Sequence, residues 1–109
     1  MNYEIWNIRG IATLGRKERI IDVFSKTKPT IIGFQETKRE RISDSYLKSL
    51  VGNRMFSWMD LPAIGTAGGL LLGVDTDVFY VLTWEVRDFS ISCTLKIKSS
   101  GVTFRVINV

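Results

Sequence analysis

The sequence predicts an α/β fold of mixed β-sheets with flanking helices, and three observations lead to it. A strand-like run, a helical run and a second strand-like run follow one another between Tyr3 and Phe34. Further on, the apolar stretch Gly68 to Val74 (GGLLLGV) has the make-up of a buried strand entered through two glycines. Finally, Phe89, Ile91, Cys93, Leu95 and Ile97 alternate with Ser90, Ser92, Thr94, Lys96 and Lys98, the period of a strand with one buried and one wet face.

Taken in order, Tyr3 to Ile8 (YEIWNI) is short, aromatic and β-branched, and Arg9-Gly10 closes it with a turn. After Gly15, the residues Ile20, Ile21 and Phe24 recur at helical spacing, while Arg16, Lys17, Glu18 and Asp22 fall on the wet side. Pro29 stops this helix, because the residue before a proline is pushed out of helical geometry. Thr30 to Phe34 (TIIGF) is too short for a helix and rich in isoleucine. The three elements form a βαβ unit, so the two strands run parallel and end on one edge of a sheet.

A second helix is expected over Thr37 to Leu50, where Ile42, Tyr46, Leu47 and Leu50 recur at helical intervals. Strands are expected at Arg54 to Met59 and Val78 to Val86, with a loop from Leu61 to Thr66. Ser99-Ser100-Gly101 makes a hairpin turn, and Val102 to Val109 (VTFRVINV) returns antiparallel. Tyr3, Trp6, Trp58 and Trp84 sit in apolar strand patterns and are read as core residues in preference to base-stacking platforms.

The 109 residues are 45% hydrophobic and 24% charged, the balance of a folded domain with a single core. No apolar run approaches the ~20 residues of a membrane span. The opening MNYEIWNIRG lacks the apolar stretch and cleavage site of a signal peptide, so an intracellular protein, nuclear or cytoplasmic, is expected, with no membrane partner. Cys93 is the single cysteine, which excludes an internal disulfide and a cysteine metal cluster; it is read as a small buried hydrophobe.

There is no histidine, so His-assisted serine or cysteine hydrolases, zinc proteases and imidazole acid/base pairs are excluded. Chemistry here would use oxygen ligands and a hard metal. The net charge of +4 is uneven: residues 1–54 carry 11 Lys/Arg against 6 Asp/Glu, and residues 55–109 carry 4 against 5. That bias suits a polyanionic partner such as nucleic acid, and equally an ordinary solvated surface.

Asn7 falls near the end of the first strand and Glu36 just beyond the end of the second, which places both on one sheet edge. Open α/β sheets bind ligands at the carboxyl ends of their strands. A carboxylate and an amide carbonyl are hard oxygen donors of the kind Mg²⁺ takes, and that ion uses only one or two protein carboxylates beside water and phosphate. A Mg²⁺-assisted phosphoester reaction fits this pair; an Asn satisfying turn backbone and a Glu opening a helix fit it as well.

The segments Trp6-Asn7-Ile8-Arg9-Gly10 and Lys28-Pro29-Thr30-Ile31-Ile32-Gly33-Phe34-Gln35-Glu36-Thr37-Lys38 resemble the opening of the endonuclease/exonuclease/phosphatase (DNase I-like) family. They are closest to the endonuclease domain of plant LINE-type retrotransposons. The later order, a GG-L-L-L-G strand and then an alternating hairpin ending in V-I-N-V, agrees, so the resemblance covers essentially the whole chain. Thr30 stands where relatives often have Asp.

The resemblance implies a four-layer α/β sandwich and a Mg²⁺-dependent DNA-nicking phosphodiesterase, with Mn²⁺ as an alternative ion and DNA as substrate. It makes Glu36 a metal ligand and gives Asn7 the positioning of metal and scissile phosphate. Gln35 flanks that site. Arg9, Lys38 and Arg39 are the residues for a nucleic-acid backbone, or else solvated helix-start charges. Gly68-Gly69 is not a phosphate loop, because no Gly-Lys-Ser/Thr follows; it is expected to permit close packing near the site.

Relatives continue past V-I-N-V into a tyrosine, an Asp-x-Asn motif and an Asp-His pair. This chain reaches Val109 in an apolar strand without them, so residues 1–109 are expected to be the N-terminal half of the domain, inactive without a C-terminal half as partner. The missing histidine then reads as a sign of truncation. A non-catalytic remnant that binds nucleic acid, and a family member acting on small phosphoesters, are the competing readings.

Overall fold

A computed structural model describes residues 2–65 and 67–109. The order of elements is β1 (Tyr3–Asn7), α1 (Arg16–Thr27), β2 (Ile31–Gln35), α2 (Asp44–Val51), β3 (Phe56–Leu61), β4 (Leu70–Asp75), β5 (Phe79–Val86), β6 (Ile91–Ile97) and β7 (Thr103–Asn108). They make a four-stranded sheet, β1-β2-β4-β3, and a three-stranded sheet, β5-β6-β7. Strands β1 and β2 are parallel, as the βαβ pattern requires, with Asn7 opposite Gln35. Strand β4 runs antiparallel to β2 and β3. The carboxyl ends of β1, β2 and β3 and the start of β4 therefore share one edge.

The central strands β2 and β4 are buried on both faces, and their alternate residues divide between two cores. Ile32 and Phe34 of β2 and Leu71 of β4 pack under Ile20 and Phe24 of α1 and Leu47, Leu50 and Val51 of α2. Ile31, Leu70, Leu72 and Val74 point the other way, onto Phe79, Ile91, Cys93 and Leu95 of the smaller sheet. That two-sided burial explains why Leu70-Leu71-Leu72 reads as a continuous apolar run. Gly73 is required by packing: a Cβ there would overlap the Trp58 ring on the neighbouring strand.

Three layers result, with helices on the large sheet and the small sheet beneath it. Among the described residues no helix covers the outer face of the small sheet, where Tyr80 and Leu82 are exposed; the two sheets with helices on the larger one agree with the α/β fold expected for half of a four-layer sandwich. No described helix is long and apolar enough to cross a membrane.

Some local expectations need correction. The second helix covers only Asp44–Val51, because Ser43 caps its start by accepting from the Tyr46 N–H; residues 37–43 form a loop. Ile42 lies in that loop, half-buried against the helix-side core. Phe89 is 85% exposed, since β6 begins only at Ile91, and on the expected wet face Ser92 is buried and receives a bond from the Arg105 guanidinium. Trp6, Trp58 and Trp84 pack on the two cores as expected, but Tyr3 is 69% exposed on the edge strand β1. Leu61 ends β3, and Ile64 and Ala67 bridge across the following loop; Thr66 lies outside the described residues.

Candidate active site

The shared edge of the large sheet meets the end of the small sheet at a cleft of about 990 Å³. Asn7, Gln35 and Glu36 line it from the carboxyl ends of β1 and β2. Gly68 and Gly69 line it from the entry to β4, and Arg87, Asp88 and Phe89 from the β5–β6 connection. Asn7 and Glu36, assigned to one site from strand order, are thus brought together. Among the described residues neither side chain has a hydrogen-bond or ion-pair partner, so both leave their oxygens free toward the cleft. Glu36 is half-buried.

The backbone around Glu36 is unusual. Arg9, Glu36 and Lys38 all have positive φ, at 48°, 55° and 57°. This region costs a residue with a side chain roughly 1 kcal/mol or more, and persists only where surrounding bonds impose it. Those bonds are present. Gly10 N–H donates to the Glu36 carbonyl at 2.8 Å and Ile11 N–H to the Thr37 carbonyl at 3.0 Å, extending the β1–β2 pairing past the strands. On the other side Thr37 N–H donates to Gly69 (3.1 Å) and Lys38 N–H to Gly68 (2.8 Å). The Glu36 loop is clamped from both sides.

Gly69 is what permits the second clamp. Its φ is 97°, and a Cβ there would overlap the Thr37 hydroxyl. The expectation of close packing near the site is met, between the glycine pair and the loop after β2. The Thr37 hydroxyl is buried without a hydrogen-bond partner among the described residues.

The donor set suits Mg²⁺ in part. Glu36 supplies a carboxylate and Asn7 an amide oxygen, consistent with an ion that keeps several waters and substrate oxygens. Asp88, which the sequence reading did not single out, adds a second carboxylate to the cleft wall. No group of three carboxylate, thiol or imidazole side chains converges among the described residues. Gln35 is occupied: its amide donates to the Val109 carbonyl at 2.6 Å and to Asn108 at 3.4 Å, tying the floor of the cleft to the end of β7.

Arg9, Lys38 and Arg39 do not line this cleft. Arg39 lines a smaller pocket of about 250 Å³ beside it. No ion pair engages any of the three among the described residues. Asp88 and Asn108 went unnoticed in the sequence because each acts across the fold, Asp88 from a turn on the other sheet and Asn108 from the opposite end of the chain.

No protein-family model matches the sequence, and no curated protein matches it. Solved structures do. The catalytic domain of human Nocturnin, with bound sulfate, superposes with a TM-score of 0.69 at 17% identity, over 94% of this chain and 47% of that one. AP endonuclease LMAP from Leishmania major matches with a TM-score of 0.68 at 14% identity, over 98% and 39%. TDP2 from D. rerio, complexed with a single-strand DNA product, matches with 0.65 at 14% identity, over 96% and 43%. The chain has the DNase I-like fold and spans less than half the length of these three structures.

Proposed function

We propose that this DNase I-like chain is the N-terminal part of a Mg²⁺-dependent phosphodiesterase domain that nicks DNA, of the retrotransposon endonuclease kind. The observation that carries the reading is the cleft itself: Glu36 and Asn7, both free of partners among the described residues, at the carboxyl edge of parallel strands. Fold-sharing with an AP endonuclease and with TDP2 bound to a DNA product supports a nucleic-acid substrate. The share of those chains that is spanned supports a partial domain over residues 1–109 completed by a C-terminal half.

In this reading Glu36 and Asn7 would hold Mg²⁺, or Mn²⁺ in its place, and the ion would supply Lewis-acid stabilisation of charge on the phosphoryl oxygens. The clamped loop fixes the Glu36 backbone at the cleft, so little backbone ordering is needed when phosphate arrives. The Asn7 amide N–H donates to a non-bridging phosphate oxygen. Arg9 and Lys38, in no ion pair among the described residues and close in sequence to Asn7 and Glu36, attract the polyanion. The family resemblance puts the groups that deprotonate the attacking water in the C-terminal half, so in this reading the chain alone is inactive.

Manganese binding tests the site without requiring turnover. Mn²⁺ should broaden the amide resonances of Asn7 and of Glu36 to Lys38, and Glu36→Gln should weaken that effect at least about tenfold. Broadening that ignores Glu36→Gln, or none at millimolar Mn²⁺, refutes the site. Robust Mg²⁺-dependent nicking of plasmid by the purified chain would overturn its inactivity. The basic first half favours a second reading, a non-catalytic nucleic-acid-binding module, for which DNA binding occurs without any metal effect at Glu36.

A further inference from the structure

We infer that the pocket between the β1–α1 loop and the β2–α2 loop is a second phosphodiester-binding subsite, built on Arg39 and Arg41, for the strand that flanks the cleft. The inference rests on the nucleic-acid reading above and extends it to a place outside the cleft. Arg39 and Arg41 line this pocket together with Ile11, Ala12, Ser43 and Tyr46. Both arginines are exposed, and neither side chain has an ion-pair or hydrogen-bond partner among the described residues. A third cation, Lys17, stands 5.9 Å from the centre of the Tyr46 ring. Glu18 and Asp22 of α1, Glu36 and Glu40 of the β2–α2 loop and Asp44 of α2 are the acidic residues on the same elements; Asp22 pairs with Lys26, and among the described residues none pairs with Arg39, Arg41 or Lys17.

The walls are fixed. Tyr46 donates its hydroxyl hydrogen to the Ile11 carbonyl at 2.7 Å, while Ile11 N–H donates to the Thr37 carbonyl at 3.0 Å. One loop is therefore held by both the helix and the strand end that flank the pocket. Arg39 is also anchored, its carbonyl accepting from Ala63 N–H at 3.0 Å. A pair of guanidiniums on a braced frame matches phosphate oxygens in a forked geometry that a lysine cannot copy. Arg39 follows Glu36 by three residues, so their Cα atoms are at most ~11 Å apart. A single strand can therefore engage both places at once, with Lys38 between them.

The test is oligonucleotide binding by the 109-residue chain, in EDTA so that no metal contributes, measured by anisotropy across a salt series with a labelled 12-nucleotide single strand. The slope of log affinity against log salt should become shallower by ~0.7 for Arg41→Ala and by about twice that for Arg39→Ala with Arg41→Ala. Arg41→Lys should restore the slope but not the full affinity. Lys26→Ala, on the far end of α1, should change neither. Both arginines are exposed, so the variants should keep the wild-type circular dichroism spectrum, which is measured alongside. A wild-type slope that persists in the double variant overturns the subsite while leaving the Glu36 site standing. Equal competition by poly-glutamate of matched charge overturns the phosphodiester assignment in favour of acidic protein. Failure of the wild type to bind at low salt overturns the subsite too, whereas loss of Mn²⁺ broadening alone touches only the cleft.

Discussion

The side-chain amide of Asn108 donates to the main-chain carbonyl of Leu71 at 3.0 Å, joining the last strand of the small sheet to the central strand β4 of the large one. The same nitrogen donates to the Phe34 carbonyl at 3.2 Å, and the Asn108 oxygen accepts from Gln35. Asn108 is 1% exposed, so no solvent replaces these bonds when they are lost. It stitches the two sheets directly behind the cleft.

Asn108→Ala should therefore lower stability by about 1–3 kcal/mol, the usual cost of stranding buried polar groups. Asn108→Leu should not recover it, because volume returns without donors. Urea unfolding of the two variants distinguishes these effects; recovery with leucine would show that packing, and not hydrogen bonding, holds the sheets.

Gly69→Ala is expected to cost on the order of 3 kcal/mol, combining overpacking against Thr37 with the strain of an alanine at positive φ. Thr37→Val, by contrast, removes a hydroxyl that has no partner among the described residues and should be close to neutral. Thermal melts of both variants check the pair. A Gly69→Ala protein that melts with the wild type would mean that the loop carrying Glu36 is not clamped there.

Cys93 is 1% exposed, and burial pushes its thiol from the ordinary 9.0 up to about 11. Alkylation by iodoacetamide at pH 8 should be slow in the folded protein and fast in denaturant. The linkage has a definite sign. Because the folded protein prefers the neutral thiol, that contribution is whole below pH about 9 and disappears as pH rises through about 11. Tyr46, raised first by burial and then by Glu18, acts in the same direction, so Cys93→Ala should reduce the alkaline loss of stability without abolishing it. An unchanged pH dependence in Cys93→Ala would contradict the assignment.

Much of the architecture is legible in local pattern. Ile20 and Phe24 at helical spacing, the isoleucines of β2 and the alternation from Ile91 to Ile97 place their elements because periodicity depends on neighbours in sequence. The parallel pairing of β1 with β2 followed from the helix between them, and with it the meeting of Asn7 and Glu36 at one edge. Where a local pattern was incomplete, reading by periodicity overran: Phe89 continues the alternation of β6 in sequence but lies in the turn before it, and the helix expected from Thr37 begins only where Ser43 can cap it.

By itself, then, the sequence determined the element types and the parallel strands that carry Asn7 and Glu36. Only the tertiary structure decided that β4 enters between β2 and β3, that Asp88 joins the cleft from the other sheet, and that Asn108 spans the sandwich. Tertiary structure also decided that Gly69 clamps the Glu36 loop and that Arg39 turns to a second pocket beside Arg41. The physical reason is range. Spacing encodes which face of an element is apolar, whereas these contacts join residues tens of positions apart, and their partners are chosen by how whole faces pack.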